Sequence, residues 1–388
     1  MDQAQHPDVV PKSNRAYPTA AVERLLEPGP IELVNGSPVD VRSSCDLPAG
    51  HLDPWIVAHE RRRQADAAKT GVLSLIRNLG EALFFRDRML LRGRAGYDDL
   101  MRGPHGPRDL TDRTVEVSEL EWELAGERRP VWRIARPSDR NGPRPVFLHL
   151  HGGAFSAGTP TGNNPFLSLI AESTDAVIFD LDYSMIPERT HPQPVLEAVA
   201  ALAHIRDHGE EWGLDTSHIV IGGSSAGGNI SAAAAIKERD AGNQIALQVL
   251  YVPFLNFGGK QPGLTFTEVG VTPAHSNIAG PQGDPATSIM VAILRKAYGG
   301  GASASDPLLS PALATDLTGL APALIFTTEM DPLHQCAEHF AGDLARAGVP
   351  VTTIRFRGSK HDSAAFMGHV PQAEAAALQT AAAINGLG

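Results

Sequence analysis

The sequence predicts an α/β fold in which a mostly parallel sheet is flanked by helices on both faces. Two observations lead to this prediction. Short runs of almost uninterrupted apolar residues recur between residues 114 and 388, and such runs are typical of strands buried on both faces. Stretches with the length and periodicity of helices separate the runs, which is the order that parallel strands require.

Eight strands are expected in this part of the chain. The first two, over residues 114–124 and 130–135, alternate apolar and polar side chains as half-buried strands do. The other six are the apolar runs at 146–150, 176–179, 218–221, 246–251, 323–327 and 351–354. Helices are expected between them, at about 162–174, 193–208, 226–239, 334–347 and 371–386.

The alternation of strands and helices stops between about residues 255 and 310. This segment is dense in Gly, Pro, Thr and Ala, with one helix-like stretch near 286–298. Interruptions of this length in a compact domain are usually functional. We therefore interpret 255–310 as a lid-like insertion in a domain that spans residues 114–388.

Residues 1–113 have a different character. Residues 1–55 are rich in Pro, Gly and Asp, which predicts an extended arm or irregular wrap, whereas residues 57–103 have helical periodicity. Within the helical part, residues 61–94 hold nine Arg or Lys and three acidic side chains. We interpret them as a solvated helical face, with an anion-facing or membrane-facing surface as the alternative.

Charge and composition exclude several classes of protein. The 388 residues carry a net charge of −11, and an acidic chain is a poor general binder of nucleic acid. The sequence has no apolar stretch of about 18 residues and begins with a polar segment, so neither membrane insertion nor a secretory signal is expected. Its two cysteines, Cys45 and Cys336, match no metal or redox spacing, which favours a reducing cytoplasm.

A candidate nucleophile lies in residues 223–227, Gly-Ser-Ser-Ala-Gly, between an apolar run and an Ala-rich helix. In that context the pattern G-x-S-x-G predicts a nucleophile elbow, with Ser225 on a strained strand-to-helix turn. The flanking glycines allow neighbouring chain segments to approach closely. The alternatives are a turn that only caps the helix, and Ser224 as the reactive serine.

A candidate oxyanion hole follows the strand at 146–150, in the loop His-Gly-Gly-Ala-Phe. Acyl transfer passes through an oxyanion that backbone N–H groups stabilise. We expect Gly153 and Ala154 to donate, Gly152 to shape the loop, and Ala226 to add a donor from the start of the helix. A plain tight turn is the structural alternative.

A metal site is also conceivable at this loop, because His149 and His151 would share one face of a strand. No Asp, Glu or Cys stands nearby in the sequence to complete such a site. We therefore expect neither a metal nor another cofactor.

Three ordered motifs carry a resemblance to a known family. They are the loop 151–155, residues 182–188 (Asp-Tyr-Ser-Met-Ile-Pro-Glu) and residues 222–229 (Gly-Gly-Ser-Ser-Ala-Gly-Gly-Asn). They resemble the α/β-hydrolase fold, and specifically the bacterial HGGG/GDSAGG esterases of the hormone-sensitive-lipase type, over about residues 114–388. The resemblance implies a carboxylester hydrolase with a Ser–His–Asp triad and an N-terminal helical cap within 1–113.

The chain departs from the family pattern at several positions. Ala154 stands where the third loop glycine is usual, and Ser224 replaces an acidic residue. Ser-Met-Ile at 184–186 replaces Arg-Leu-Ala. These departures bear on substrate range and on acid–base tuning.

The remaining triad members follow later strands, in the chain order Ser, acid, His that this fold uses. Asp331 comes after the run 323–327 and closely resembles the acid motif of the family, with Glu329 as the alternative acid and a helix N-cap as the structural role. His361 follows the last run, 351–354, and is the expected base, with His369 as the alternative.

The sequence therefore predicts a serine carboxylester hydrolase for small to medium, largely uncharged esters. Acyl transfer, lactone or amide cleavage by the same triad is an alternative, as is a non-hydrolytic tailoring or binding protein of the same fold. A homodimer through the long N-terminal part is left open. The candidate substrate-binding residues are Phe155, Tyr183, Phe254 and Phe257.

Overall fold

The fold is known from a computed structural model that describes residues 14–48, 50–67, 86–112, 114–138, 142–258, 284–361 and 363–387. The strands in these ranges are β1 (Ile31–Val34), β2 (Ser37–Arg42), β3 (Glu116–Leu124), β4 (Glu127–Ala135), β5 (Arg144–Leu150), β6 (Val177–Leu181), β7 (Leu214–Ser224), β8 (Leu247–Tyr251), β9 (Ala323–Thr328) and β10 (Val351–Phe356). The helices are α1 (Thr19–Leu26), α2 (Pro54–Ala67), α3 (Arg86–Arg102), α4 (Pro160–Ser173), α5 (Gln193–His208), α6 (Ala226–Asp240), α7 (Asp284–Tyr298), α8 (His334–Arg346) and α9 (Pro371–Asn385).

All ten strands belong to one sheet, in the order β1-β2-β10-β9-β8-β7-β5-β6-β4-β3. The six pairings from β2 to β6 are parallel, and the pairings β1–β2, β6–β4 and β4–β3 are antiparallel. Because β5, β7, β9 and β10 run in the same direction, their carboxyl ends meet at one edge of the sheet. That edge therefore gathers the segments in which the sequence places its candidate site residues.

Two helical layers cover the sheet. Helices α1, α4 and α9 pack on one face, and α5, α6 and α8 pack on the other. Strand β5 illustrates the division, because Phe147 points into the first layer while Val146 and Leu148 point into the second, all three fully buried. The predicted α/β class is confirmed, and the helices predicted within residues 114–388 begin and end within two residues of their predicted bounds.

The N-terminal arm is more regular than its composition predicts. It forms α1 and two strands, and β2 pairs in parallel with β10, with Val39 opposite Thr353. The buried side chains of Val39 and Val41 alternate with Asp40, a pattern too short to stand out among the neighbouring Pro and Gly. Residues 114–388 contribute the eight expected strands, and the arm extends their sheet by two.

The structure covers the predicted cap and insertion only in part. Helices α2 and α3 lie in the predicted helical region, whereas residues 68–85, with the apolar positions Val72 to Leu83, lie outside the described residues. Residues 259–283 of the insertion also lie outside them, and α7 forms its later part. Among the helices described, not one has the length and apolarity to cross a membrane.

Arg355 forms a buried ion pair with α8 and a more exposed one with β1. Arg355 of β10 donates to both carboxylate oxygens of Glu338 on α8, at 2.7 and 2.5 Å, and to Glu32 of β1 at 2.5 Å. Glu338 is fully buried and also accepts from the Thr327 hydroxyl at 2.7 Å. Breaking one partner of such a pair leaves a buried charge without compensation.

We therefore expect Glu338→Gln to lower the free energy of unfolding by about 3 kcal/mol, measured by urea denaturation. The matched control is Asp343→Asn on the same helix, whose ion pair with Arg346 is partly exposed and contributes at most about 1 kcal/mol. Equal effects of the two substitutions would contradict this account of the buried pair.

Candidate active site

The turn that carries Ser225 has the strained backbone predicted for it. Ser225 has φ 52° and ψ −108°, a conformation that residues with a side chain rarely adopt. Its N–H donates to the Tyr251 carbonyl at 2.9 Å, and its carbonyl accepts from Asn229 and Phe254 at 3.0 and 3.1 Å. Backbone bonds on both sides of the turn thus stabilise the strained residue.

The two glycines of the turn are required by the end of β5. A Cβ atom on Gly223 would lie 2.3 Å from the Leu150 carbonyl oxygen, and one on Gly227 would lie 2.0 Å from the same atom. Both distances are shorter than real Cβ contacts allow. The close approach brings the loop after β5 directly beside Ser225.

Ser225, His361 and Asp331 form one hydrogen-bonded chain. The Oγ of Ser225 lies 2.9 Å from His361 Nε2, and His361 Nδ1 lies 2.7 Å from Asp331 Oδ2. With Nδ1–H donating to the carboxylate, Nε2 accepts the hydroxyl proton of Ser225. The predicted nucleophile, base and acid are thus brought together in the expected order.

Local backbone contacts orient the carboxylate. Asp331 is buried, and its Oδ1 accepts the N–H of Leu333 at 2.9 Å, leaving Oδ2 for His361. The N-cap residue of α8 is Leu333, so the capping role considered for Asp331 is wrong, and its bond to the Leu333 N–H instead orders the turn before the helix. Ser225 and His361 are only partly buried, so the reacting end of the chain is accessible while its acidic end is not.

The alternative acid and base have other partners. Glu329 accepts the N–H of Gly358 at 2.7 Å and so fastens the loop that leads to His361. His369 is buried and donates from Nε2 to the Gly106 carbonyl at 2.9 Å. Glu329 therefore supports the loop before His361, and His369 joins the hydrolase domain to the chain after α3.

The loop after β5 has an unusual run of left-handed residues. Gly153 has φ 135°, Ala154 has φ 52° and Phe155 has φ 61°. A Cβ on Gly153 would lie 1.9 Å from the Ala157 carbonyl oxygen, so this position requires glycine, whereas Ala154 is exposed and tolerates its methyl group. Ala226, the further expected donor, is buried at the first position of α6.

The chain is similar to known proteins in sequence and in structure. A model of an alpha/beta hydrolase fold family matches residues 147–365. The chain belongs to this family. It is 29% identical to an arylesterase of Saccharolobus solfataricus over 66% of this chain and 79% of that protein, and 30% identical to the esterase LipI of Mycobacterium tuberculosis over 69% and 82%. A bacterial heroin esterase is similar in structure, with a TM-score of 0.65 and 31% identity over 76% of this chain and 92% of that one.

Ser184 is a departure of this α/β-hydrolase from the family pattern, and the structure shows which contacts it makes. Ser184, where the family has Arg, donates from its hydroxyl and its N–H to the fully buried Glu197, at 2.5 and 2.7 Å. The guanidinium of Arg129 on β4 also lies nearby, with Nε 4.0 Å from the same carboxylate. Ser184 and Arg129 together therefore surround the buried Glu197 with hydrogen-bond donors and a positive charge.

Acidic side chains do stand near the histidine pair, contrary to the expectation from sequence spacing. Asp180 accepts from His149 at 2.8 Å, and Asp182 Oδ1 lies 3.6 Å from His151 Nε2. Both acids come from the neighbouring strand β6 and its end, a proximity that only the strand order creates. In the described part of the chain, no group of three or more His, Cys, Asp or Glu side chains is arranged to hold a metal ion.

The four candidate substrate-binding residues are all buried in one core cluster. Phe155 stacks on Tyr298 with ring centroids 3.9 Å apart, and Phe254 meets Phe257 edge to face at 4.6 Å. The Tyr183 hydroxyl donates to the His151 carbonyl at 2.8 Å and so supports the loop. Their part in substrate binding stays a prediction.

Sequence reasoning missed Arg94 of α3, which lies against the loop that follows β5. Its guanidinium donates to the carbonyls of Ser156 and Ile186, both at 2.8 Å. Nothing in the sequence singles it out from the other arginines of residues 61–94. Only the packing of α3 against the hydrolase domain reveals the contact.

The pKa of His369, the alternative base, predicts how the stability of the fold changes as the pH falls. Burial, together with Arg108, Arg62 and His105, lowers the pKa of His369 to about 4. Because unfolded histidine binds its proton near pH 6.5, the unfolded state gains a proton before the folded state as pH falls, and stability is lost between pH 6.5 and 4.

We expect this group to remove roughly 2 kcal/mol of unfolding free energy between pH 7 and pH 5. His369→Gln, which keeps a donor for Gly106, should reduce the wild-type loss by that amount, as measured by urea unfolding at both pH values. Parallel losses in the wild type and the variant would refute a neutral buried His369.

Proposed function

We propose that this hydrolase cleaves carboxylic esters through an acyl-enzyme on Ser225. The observation that carries the proposal is the pair of hydrogen bonds from Ser225 Oγ to His361 Nε2 and from His361 Nδ1 to Asp331 Oδ2. A serine hydroxyl becomes a nucleophile at neutral pH only beside an oriented general base. The esterase names of the relatives support the same activity.

The first half of the reaction forms the acyl-enzyme. Ser225 Oγ attacks the ester carbonyl carbon while His361 Nε2 takes the hydroxyl proton. Asp331, held by Leu333 N–H, keeps the imidazole oriented and stabilises it as imidazolium. The tetrahedral intermediate then collapses, the bond to the alcohol oxygen breaks, and His361 returns the proton to the departing alcohol.

The second half uses water in place of the serine. His361 removes a proton from water, the hydroxide attacks the acyl carbon, and Ser225 leaves with the proton from the imidazolium. We assign the backbone N–H groups of Gly153, Ala154 and Ala226 to the oxyanion in both halves. The crowding of Leu150 against Gly223 and Gly227 supports this assignment, because it brings the loop after β5 close to Ser225.

Uncharged esters of small to medium size are the proposed substrates. The chain immediately beside the reacting groups is apolar, since Phe155 follows the exposed Ala154 and the Phe254 N–H bonds to the Ser225 carbonyl. We also propose a reducing cytoplasmic setting, which the free thiols of Cys45 and Cys336 support.

A panel of nitrophenyl esters with graded acyl length tests the activity. The wild type should hydrolyse the short and medium esters, and Ser225→Ala should reduce kcat by at least about 10³-fold with the fold intact by circular dichroism. The matched control is Ser224→Ala, which removes the neighbouring hydroxyl and should keep most of the activity.

Two results would overturn the assignment. Near wild-type turnover by Ser225→Ala would exclude this serine as the nucleophile. A flat zero response of the wild type across the whole panel would exclude a general esterase and favour a specialised acyl acceptor or substrate.

A further inference from the structure

Arg94 binds the loop that carries the assigned oxyanion donors. Its Nε donates to the Ser156 carbonyl and one Nη to the Ile186 carbonyl, both at 2.8 Å. The guanidinium also pairs with both carboxylate oxygens of Glu188, at 3.0 and 2.8 Å. One side chain of the N-terminal part thus joins two segments of the hydrolase domain.

Both contacts act where the strained residues 153–155 end, one at Ser156 and one at Ile186, which bonds to Phe155. The Ser156 N–H donates back to the Gly153 carbonyl at 3.0 Å, and the Ile186 N–H donates to the Phe155 carbonyl at 2.9 Å. Arg94 therefore closes a ring of hydrogen bonds around Ala154 and Phe155. Left-handed non-glycine residues cost free energy and persist only where their surroundings hold them.

The guanidinium of Arg94 also forms an ion pair with Glu188. The hydrogen bond from Arg94 keeps the pKa of Glu188 below its usual range, so the pair stays ionised at neutral pH. A planar guanidinium reaches two carbonyls and a carboxylate at once, which the single ammonium of lysine cannot do in the same geometry.

We propose that Arg94 is a positioning residue for the oxyanion hole, acting through the Ser156 and Ile186 carbonyls on the backbone of Gly153 and Ala154. This inference rests on the proposed Ser225 hydrolase function. Arg94 touches neither the serine nor its partners, so its loss affects the transition state through the loop. Because the oxyanion forms after binding, kcat depends on Arg94 and KM does not.

The variants Arg94→Ala and Arg94→Lys test this role. Arg94→Ala should lower kcat on a nitrophenyl ester roughly 10- to 100-fold, in line with small displacements of catalytic groups, and change KM little. Arg94→Lys should lower kcat less, since it keeps the positive charge and one donor group. If Arg94→Ala does not fold, the lysine variant carries the test.

The matched control is Arg189→Ala. Arg189 lines the same cavity of about 300 Å³ as Arg94, pairs with Glu127 and donates to the Glu188 carbonyl at 3.0 Å, but its described side-chain hydrogen bonds do not reach residues 151–157. Its replacement removes a guanidinium and leaves the loop bonds intact. We expect kcat and KM close to those of the wild type.

Two further measurements distinguish an effect of Arg94 on the position of the oxyanion donors from an effect on the stability of the fold. A trifluoromethyl ketone, whose hemiketal oxyanion forms on Ser225, should bind Arg94→Ala more weakly by the same factor as the loss in kcat/KM. Added guanidinium ion should restore part of the kcat of Arg94→Ala, because the cavity admits it. The ion is added at about tens of millimolar, the range in which a weak ligand binds. Ammonium ion at the same concentration should not restore kcat.

The inference is overturned if Arg94→Ala lowers only the melting temperature while kcat and ketone affinity match those of Arg189→Ala. It is also overturned if kcat falls but ketone affinity stays at the wild-type value. A wild type that hydrolyses no ester, or that does so without Ser225, refutes the proposed function instead, so the two failures remain distinguishable.

Discussion

The structure depends on one crowded contact, where the Leu150 carbonyl at the end of β5 meets Gly223 and Gly227. No side chain fits at either glycine, with Cβ distances of 2.3 and 2.0 Å to that oxygen. The contact brings the turn between β7 and α6 against the loop after β5, and Ser225 lies in that turn with φ 52°. Backbone packing therefore brings together the proposed nucleophile and the proposed oxyanion donors.

The rest of the site is held by three supporting groups. Leu333 N–H fixes one oxygen of Asp331, Glu329 fastens the loop that leads to His361, and Arg94 closes the ring around Ala154. Leu333 and Glu329 lie in the loop between β9 and α8, and Arg94 lies in α3. The site thus depends on the N-terminal part as well as on the hydrolase domain, and Arg94 helps to hold the strained backbone near Ala154.

Much of this could be predicted from the sequence because the signals are local. The elbow follows from Gly223, Ser225 and Gly227 between a strand and a helix, and Asp331 and His361 each follow a strand. What could not be predicted depends on strand order and packing. Asp180 and Asp182 reach the histidine pair only because β6 adjoins β5, and Arg94 is one of many arginines until α3 packs on the loop.

The most direct test of the central claim is to trap the acyl-enzyme. An acid quench during turnover of a nitrophenyl ester, followed by peptide mapping with mass spectrometry, locates the acyl group. The account predicts an adduct on Ser225 whose amount rises in a burst with the first turnover. An adduct on Ser224 or elsewhere, or steady hydrolysis with no adduct on Ser225 under any quench time, would contradict it.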